Sequence, residues 1–576
     1  MSGRKVIKYL WGPARALLRK LPERDVLLGL SVVTGALCGA AAVLLKLAIH
    51  AIQSGLQTLF PGGRWPWIVL PGAGMLLSLL IVRYVVRDNI GHGVTKVLQA
   101  VSKNESKIKR HNTWSSLLTS ALTIGFGGSV GAEAPIVYTG AAIGSNLARY
   151  MGMSYRSMTI LLGCGAAGAV AGIFNAPLAG VLFTLEILLF NLSMSSILPL
   201  LLSSVSATMV SYLCLGHTTQ FAATLMPFAL RNVPWYAVLG VFCGFCALYF
   251  IRMTLALEDW LGRLKSPCLR WGICSLLLGG LIFFFPPLLG EGYDSLSPML
   301  NGAETRPVWF FVLVLLLKVF SMTFTNAGGG VGGTFGPTLF VGAIAGFVGA
   351  SALNLFVPGG VPVANFVFVG MAGLMAGVMQ APLTAIFLIA EICGGYDLLV
   401  PLILVSAFSY GTTRLFEKYS IYTKRIAASG ELLTHDSDQA VLTLLKTESL
   451  VEKDFTPVKI DASLGELVQA VSVSERNIFP VLDNRRRFQG YVALSDIRRD
   501  MFRSDLYGKN HVYNYMRSAL EYVYPDEPMD SVMRKFEKTG AWNLPVVDHD
   551  RRYLGFVSKS KIFNAYREEI REFSQD

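Results

Sequence analysis

Apolar segments recur along this chain from about residue 26 to about residue 414, and few folds accept that pattern. In a bilayer every backbone N–H and C=O must find a partner inside the protein, so the spanning elements are helices or closed barrels, and runs of this length read as helices. Residues 26–52 and 67–87 are long enough to span, whereas 114–127, 134–150, 157–173 and 176–192 are shorter and broken by Gly and Pro. The pattern then starts again, with spans at 196–216, 235–258, 270–290 and 307–324 and a second glycine-interrupted group at 337–357, 362–379, 381–395 and 398–414. Irregular backbone at membrane depth is tolerated only where it is buried in protein or lines a cavity, so the broken segments mark a pathway. A chain of 576 residues that is 53% hydrophobic and 15% charged is excluded from the soluble globular class; the polar stretch 432–576 is of a different kind and forms its own region.

The two groups of short segments can be superposed residue by residue. Ala171-Gly-Ile-Phe-Asn175-Ala-Pro177-Leu-Ala-Gly-Val-Leu-Phe-Thr-Leu-Glu186-Ile187 aligns without a gap with Ala376-Gly-Val-Met-Gln380-Ala-Pro382-Leu-Thr-Ala-Ile-Phe-Leu-Ile-Ala-Glu391-Ile392, at an offset of 205 (376 − 171). Upstream, Gly128-Ser-Val-Gly131-Ala-Glu133-Ala-Pro135 aligns with Gly330-Val-Gly-Gly-Thr334-Phe335-Gly-Pro337 at an offset of 202 (337 − 135). Close helix packing explains small residues in general, but not two blocks in one order at nearly one offset. Duplicated halves with matching interrupted segments are the sign of a transporter whose site lies where the repeats meet.

Within the first block stands one carboxylate, Glu133. A charge at bilayer depth costs about 2.5–3.5 kcal/mol on insertion scales, so its presence there argues for a role. The neighbouring glycines let backbone N–H groups approach a bound group, and Pro135 suits the first turn of a helix. Such an N-terminus attracts anions, so a bound anion and the Glu133 carboxylate compete for one place.

The net charge of +12 is explained by basic flanks on membrane helices, and no basic stretch has the interleaved aromatics of a nucleic-acid platform; nucleic acid is not an expected partner. Seven basic residues between Arg4 and Arg24 precede the first long apolar run, unlike a cleaved signal peptide, and make residues 1–25 a cytoplasmic arm by the positive-inside rule. The eight cysteines lie in or beside apolar segments, so Cys243-x-x-Cys246 reads as buried thiols and no disulfide framework or metal site is indicated. The membrane region shows no nucleophile–base pair, which argues against an enzyme.

The order Gly91-His92-Gly93-Val94, Gly131-Ala-Glu133-Ala-Pro135, Asn175-Ala-Pro-Leu-Ala-Gly180, Gly333-Thr334-Phe335-Gly336-Pro337 and Ser420-Ile-Tyr422-Thr resembles the chloride-channel (CLC) family of anion channels and proton–anion exchangers, in its bacterial form, over residues 26–430. The resemblance implies an all-α polytopic membrane domain of two inverted halves, about 26–195 and 196–430, in a homodimer with one anion pathway per subunit. It implies that Glu133 is the gating glutamate and that His92, Gly131, Thr334, Phe335 and Tyr422 line the anion site, with backbone N–H groups of Thr334 and Phe335 and the Tyr422 hydroxyl at its centre. Helix N-termini from both halves can hold a dehydrated anion without the full positive charge that would trap it. Burial and a neighbouring anion both disfavour an ionised carboxylate, which lets Glu133 take up a proton.

Several positions depart from the family pattern. Where the family presents a serine hydroxyl the chain has His92, able to donate to the ion or to become charged near neutral pH, or to point away and leave the backbone N–H to act. Family exchangers often carry an inner glutamate twelve residues after the Asn of Asn-Ala-Pro-Leu; here that position is Ile187, and Glu186 is one place earlier, turned by about 100° on a helix. The inner proton-relay position is therefore lost, which favours passive or weakly coupled flow. The occurrence of a matching Glu391 in the second half marks Glu186 as a structural residue.

The polar tail has its own repeat. Ile478-Phe-Pro480-Val-Leu-Asp483 through Gly490 matches Asn543-Leu-Pro545-Val-Val-Asp548 through Gly555 at an offset of 65 (545 − 480), each unit reading helix, strand, turn, strand, helix. This resembles an α/β pair of cystathionine-β-synthase-type (CBS) domains, at 451–507 and 508–576 after a linker at 431–450. Such pairs often bind adenine nucleotides, and Asp496 and Ser558 occupy the relevant positions. Neither copy keeps both hydroxyl and carboxylate, so a dimerising, gate-coupling module without ligand is the simpler reading, and no cofactor is required.

The expected protein is thus a homodimer in the cell (inner) membrane, in contact with lipid and with both termini cytoplasmic, moving chloride or a similar small anion past Glu133. A proton–chloride antiporter is the alternative. A nucleotide-sensing membrane protein with a vestigial pore is a second.

Overall fold

The computed structural model describes residues 22–61, 65–103, 105–188, 196–216, 221, 223–356, 360–428 and 445–574, and the chain divides into two compact units with the break after Leu432. The basic arm up to residue 21 and residues 431–444 of the expected linker lie outside the described residues.

The first unit is helical. Its first half contains α1 (Glu23–Leu59), α2 (Pro66–Leu80), α3 (Gly93–Lys103), α4 (Ser115–Gly125), α5 (Glu133–Met151), α6 (Tyr155–Phe174) and α7 (Pro177–Phe183), which continues through a widened π turn to Leu188. The second half contains α8 (Ile197–Leu215), α9 (Val233–Gly262), α10 (Pro267–Phe284), the short α11 (Leu296–Leu300), α12 (Val308–Ala327), α13 (Phe335–Leu353), α14 (Val363–Met379), α15 (Pro382–Ile392), α16 (Leu399–Phe416) and α17 (Ile421–Ala428). Among the described residues, nine helices are long and apolar enough to cross a membrane. The chain is a multi-pass membrane protein.

The two halves repeat in three dimensions. In the first, α5 packs on α6 so closely that a Cβ at Gly140 or Gly144 would collide with the carbonyls of Gly165 and Leu161. In the second, Gly342 and Gly346 of α13 meet the carbonyls of Gly370 and Phe366 on α14 in the same way. Small residues let backbones approach and gain dispersion contacts where lipid offers no hydrophobic drive between helices. Each inner helix ends on a left-handed residue, Asn175 (φ 57°) or Gln380 (φ 53°), and an Ala-Pro pair opens the next helix with proline in its first turn.

The halves are also tied by exchanged carboxylates. Glu186, in the π turn after α7, accepts from the N–H groups of Leu383 (3.2 Å) and Thr384 (2.8 Å) at the start of α15. Glu391, on α15, accepts from those of Leu178 (3.0 Å) and Ala179 (2.9 Å) at the start of α7. Each half thereby satisfies the free N–H groups and the positive end of a helix in the other. Ile187, the next residue, is buried in the apolar core.

The second unit contains β1 (Val458–Lys459), α18 (Leu464–Val473), β2 (Ile478–Leu482), β3 (Phe488–Ala493), α19 (Leu494–Ile497), α20 (Met529–Thr539), β4 (Asn543–Val547), β5 (Tyr553–Ser558) and α21 (Lys559–Ser574). Strands β1, β2 and β3 form one sheet, with β1 parallel and β3 antiparallel to β2; β4 and β5 form a second, antiparallel pair. The two hairpins share register and irregularity: the shift between Val481 and Leu482 falls 65 residues before that between Val546 and Val547 (546 − 481). The boundary of this region differs from expectation. Leu445 and Leu450, assigned to the linker, pack with Val523, Val532, Phe536 and Val557 in the second repeat's core, and Glu452 pairs with Phe556 on β5. Their apolar side chains are buried in that core.

Candidate functional site

The glycine turns of the two halves meet at a short antiparallel bridge. Gly131 N–H donates to Gly333 C=O (3.0 Å) and Gly333 N–H to Gly131 C=O (2.8 Å), which brings the N-termini of α5 and α13 together inside the protein. The turn tolerates no side chain: a Cβ at Gly131 would run into the Glu133 carboxylate and the Gly336 amide. Two anion-attracting helix ends therefore converge, one from each repeat.

Glu133 is the first residue of α5 and is 2% exposed. Its carboxylate does not cap its own helix alone but reaches across the repeat boundary, where Oε2 accepts from the N–H of Gly336 in the first turn of α13 (3.2 Å) and Oε1 from the Tyr293 hydroxyl (3.2 Å). A carboxylate thus stands at the N-terminus that the second half presents at the repeat boundary. Two residues before Gly336, Thr334 Oγ1 donates to the Tyr422 hydroxyl (3.4 Å), and both residues are buried. The amides of Thr334 and Phe335 have no acceptor among the described residues. Phe335 is held by Phe174 (centroids 5.4 Å apart) and Phe183 (6.1 Å), aromatic contacts that fix the start of α13. Gly131, Glu133, Thr334, Phe335 and Tyr422 are therefore brought together.

His92 is placed differently. It adopts a left-handed backbone (φ 55°) ahead of α3, and its Nε2 lies 3.9 Å from Glu258, which Arg425 of α17 already grips through 2.6 and 3.2 Å contacts. Its imidazole makes no hydrogen bond to Glu133, Thr334 or Tyr422. The following Gly93 abuts the carbonyl of Ala134, so this turn touches the first turn of α5 through backbone.

Four polar residues at the site were not picked out from sequence. Tyr293 and Glu291 come from the loop after α10, and Glu291 Oε1 accepts from the Ala132 N–H at the start of α5 (3.0 Å). Lys318, in the middle of α12, is fully buried; its Nζ donates to Ser129 Oγ (2.9 Å) and Gly290 C=O (2.8 Å) and lies 4.9 Å from the Phe340 ring centre. Lys46 of α1 lines, with His50, Gln53, Glu133, Glu291 and Tyr293, a cavity of about 160 Å³. A lone lysine in the apolar run 307–324 was the one available signal, since intramembrane charges are functional by default. Nothing in the local pattern of the 289–293 loop marks its destination.

No cluster of three or more His, Cys, Asp or Glu suited to a metal occurs among the described residues. In the second unit Asp496 accepts from the Ala493 N–H (3.2 Å) and is paired with Arg517, while the Ser558 hydroxyl donates to Glu452 (2.6 Å). Both positions considered for a nucleotide are thus engaged within the protein.

The sequence model of the voltage gated chloride channel family matches residues 73–414, more than half of the chain and all of the first unit's repeated core. The chain belongs to the CLC family. CLC proteins are anion channels and transporters rather than enzymes, and a CBS domain matches residues 512–568 of the tail. Among similar proteins, a ClcB-like chloride channel protein of Ralstonia nicotianae is 29% identical over 372 residues, covering 63% of this chain and 86% of the relative. Chloride channel protein CLC-f of Arabidopsis thaliana is 24% identical over 641 aligned residues and covers 94% of this chain and 81% of its own. Among solved structures, the fold matches a slow cyanobacterial Cl−/H+ antiporter (TM-score 0.63, 24% identity, 71% of this chain and 98% of that one) and a eukaryotic CLC transporter (TM-score 0.62, 18% identity, 94% and 99%).

Proposed function

We propose that this CLC protein is a homodimer of the cell (inner) membrane, with both termini cytoplasmic, that conducts chloride or a similar small anion through a pathway gated by Glu133, passively or with weak proton coupling. The observation that carries the reading is the Glu133 carboxylate on the Gly336 amide of the opposite repeat. A carboxylate there and a mobile anion want the same donors, so ionised Glu133 blocks and protonated Glu133 releases. Below it, the free amides of Thr334 and Phe335 and the Tyr422 hydroxyl offer an anion donors without a full charge.

Passive flow is favoured because Glu186 is committed to the start of α15 and Ile187 is apolar and buried, which leaves the inner side of the gate without a carboxylate at that position. The tail serves as a gate-coupling module without nucleotide in this reading, since Asp496 and Ser558 already have partners.

Reconstituted into liposomes, the wild-type protein is expected to release chloride faster as external pH falls, because protonation empties the Gly336 site. Glu133→Gln, which cannot ionise, is expected to release chloride at a rate independent of pH. Equal pH dependence in both proteins, or no chloride release by the wild type, contradicts the assignment.

A further inference from the structure

The geometry points to Glu291 as a second anion-competing carboxylate, which occupies the N-terminus of α5 from the cavity side as Glu133 occupies that of α13. This inference rests on the anion-pathway reading above. The two carboxylates form a crossed pair: Glu133 belongs to α5 and sits on Gly336 of α13, and Glu291, in the loop leading to the second half's core, sits on Ala132 at the head of α5. Each of the two converging helix ends therefore carries one acidic group in the place an anion would take.

Glu291 is built to move, in contrast to the two exchanged caps. Glu186 and Glu391 each hold two backbone N–H groups from within a helical segment. Glu291 accepts one backbone N–H and lies between Gly290 (φ 57°) and Gly292 (φ 92°), conformations that leave the intervening residue on a narrow glycine-flanked turn. It is partly exposed and lines the same 160 Å³ cavity as Glu133.

The groups facing it fit this role. Lys46 approaches from α1 and the buried Lys318 from α12; Glu133, Tyr293 and Asp294 are its acidic and phenolic neighbours, and His50 also lines the cavity. The two lysines keep a carboxylate at Ala132 without making an ion pair that would fix it, since no Lys or Arg nitrogen lies within 4.0 Å of Glu291 among the described residues. They would equally hold an incoming anion once Glu291 swings into the cavity or takes up a proton.

The test is crystallography of the full chain in bromide, with chloride release from liposomes as the second readout. In Glu291→Gln and Glu291→Ala, anomalous bromide density is expected at the Ala132 amide, absent there in the wild type at neutral pH, and chloride release at neutral pH is expected to rise about tenfold, the loss of a competitor held by one charge-assisted hydrogen bond. Should neither variant fold, wild-type crystals at acid pH are expected to show the same density. Bromide beside Thr334 and Tyr422 but never at Ala132, with unchanged release, would show that Glu291 is a fixed cap; the inference falls and the pathway stands. No bromide at either place together with no chloride release overturns the pathway reading and this inference with it.

Discussion

Among the described residues Tyr293 is the one side chain that hydrogen-bonds the Glu133 carboxylate, at 3.2 Å, and its ring is braced edge-on by Phe221 with centroids 5.4 Å apart. The bond favours the seated, ionised carboxylate over a released one, so on the proposed mechanism removing it loosens the gate without emptying any core volume. Tyr293→Phe is expected to raise chloride release at neutral pH roughly threefold to tenfold, the effect of about 0.5–1.5 kcal/mol of lost hydrogen bond, with little change in thermal stability. Liposome efflux at fixed pH checks this; an unchanged rate would mean that Gly336 alone holds Glu133. At this scale the sequence was informative where a residue announces its own cost. Glu133 on its glycine turn was legible because a charge at bilayer depth demands a reason, and Lys318 carried the same signal inside an apparently ordinary span. His92 could not be read: whether it faces the ion depends on a left-handed backbone angle and on Glu258, more than 160 residues away (258 − 92 = 166).

Among elements, the exchanged caps of Glu186 and Glu391 tie the two halves together. Each carboxylate satisfies two helix-terminal amides at 2.8–3.2 Å that would otherwise be left without partners in a low-dielectric setting. Glu186→Ala and Glu391→Ala are each expected to cost about 1–3 kcal/mol, seen as similar drops in the thermal midpoint of the purified protein. A large drop for one and none for the other would deny their equivalence. This pairing was half legible: the gapless alignment at offset 205 showed two glutamates in corresponding positions and argued for structural roles, but not that each would cap the other's helix. Helix bounds followed the apolar runs within a few residues, because polar flanks such as Glu23 and Tyr155 extend helices past the apolar stretch. The loop that delivers Glu291 and Tyr293 had no period or repeat mate to read, and only the assembled fold shows where it goes.

For the molecule as a whole, two repeats place their N-terminal turns back to back, and the asymmetry between them is what the proposed gate rests on: one half supplies a carboxylate, the other the amide it occupies. The repeat itself was readable from sequence, since matching interrupted segments point to a site at their interface. The proposal of a channel-like rather than a proton-exchanging pathway rests on Ile187, which is buried, and on Glu186, which is engaged. The most direct test records chloride efflux and external pH together from liposomes holding the full chain under an outward chloride gradient. Chloride leaving without protons driven uphill, and Glu133→Gln releasing chloride independently of pH, is the result expected here. Chloride-driven uphill proton movement in the wild type would contradict the passive account.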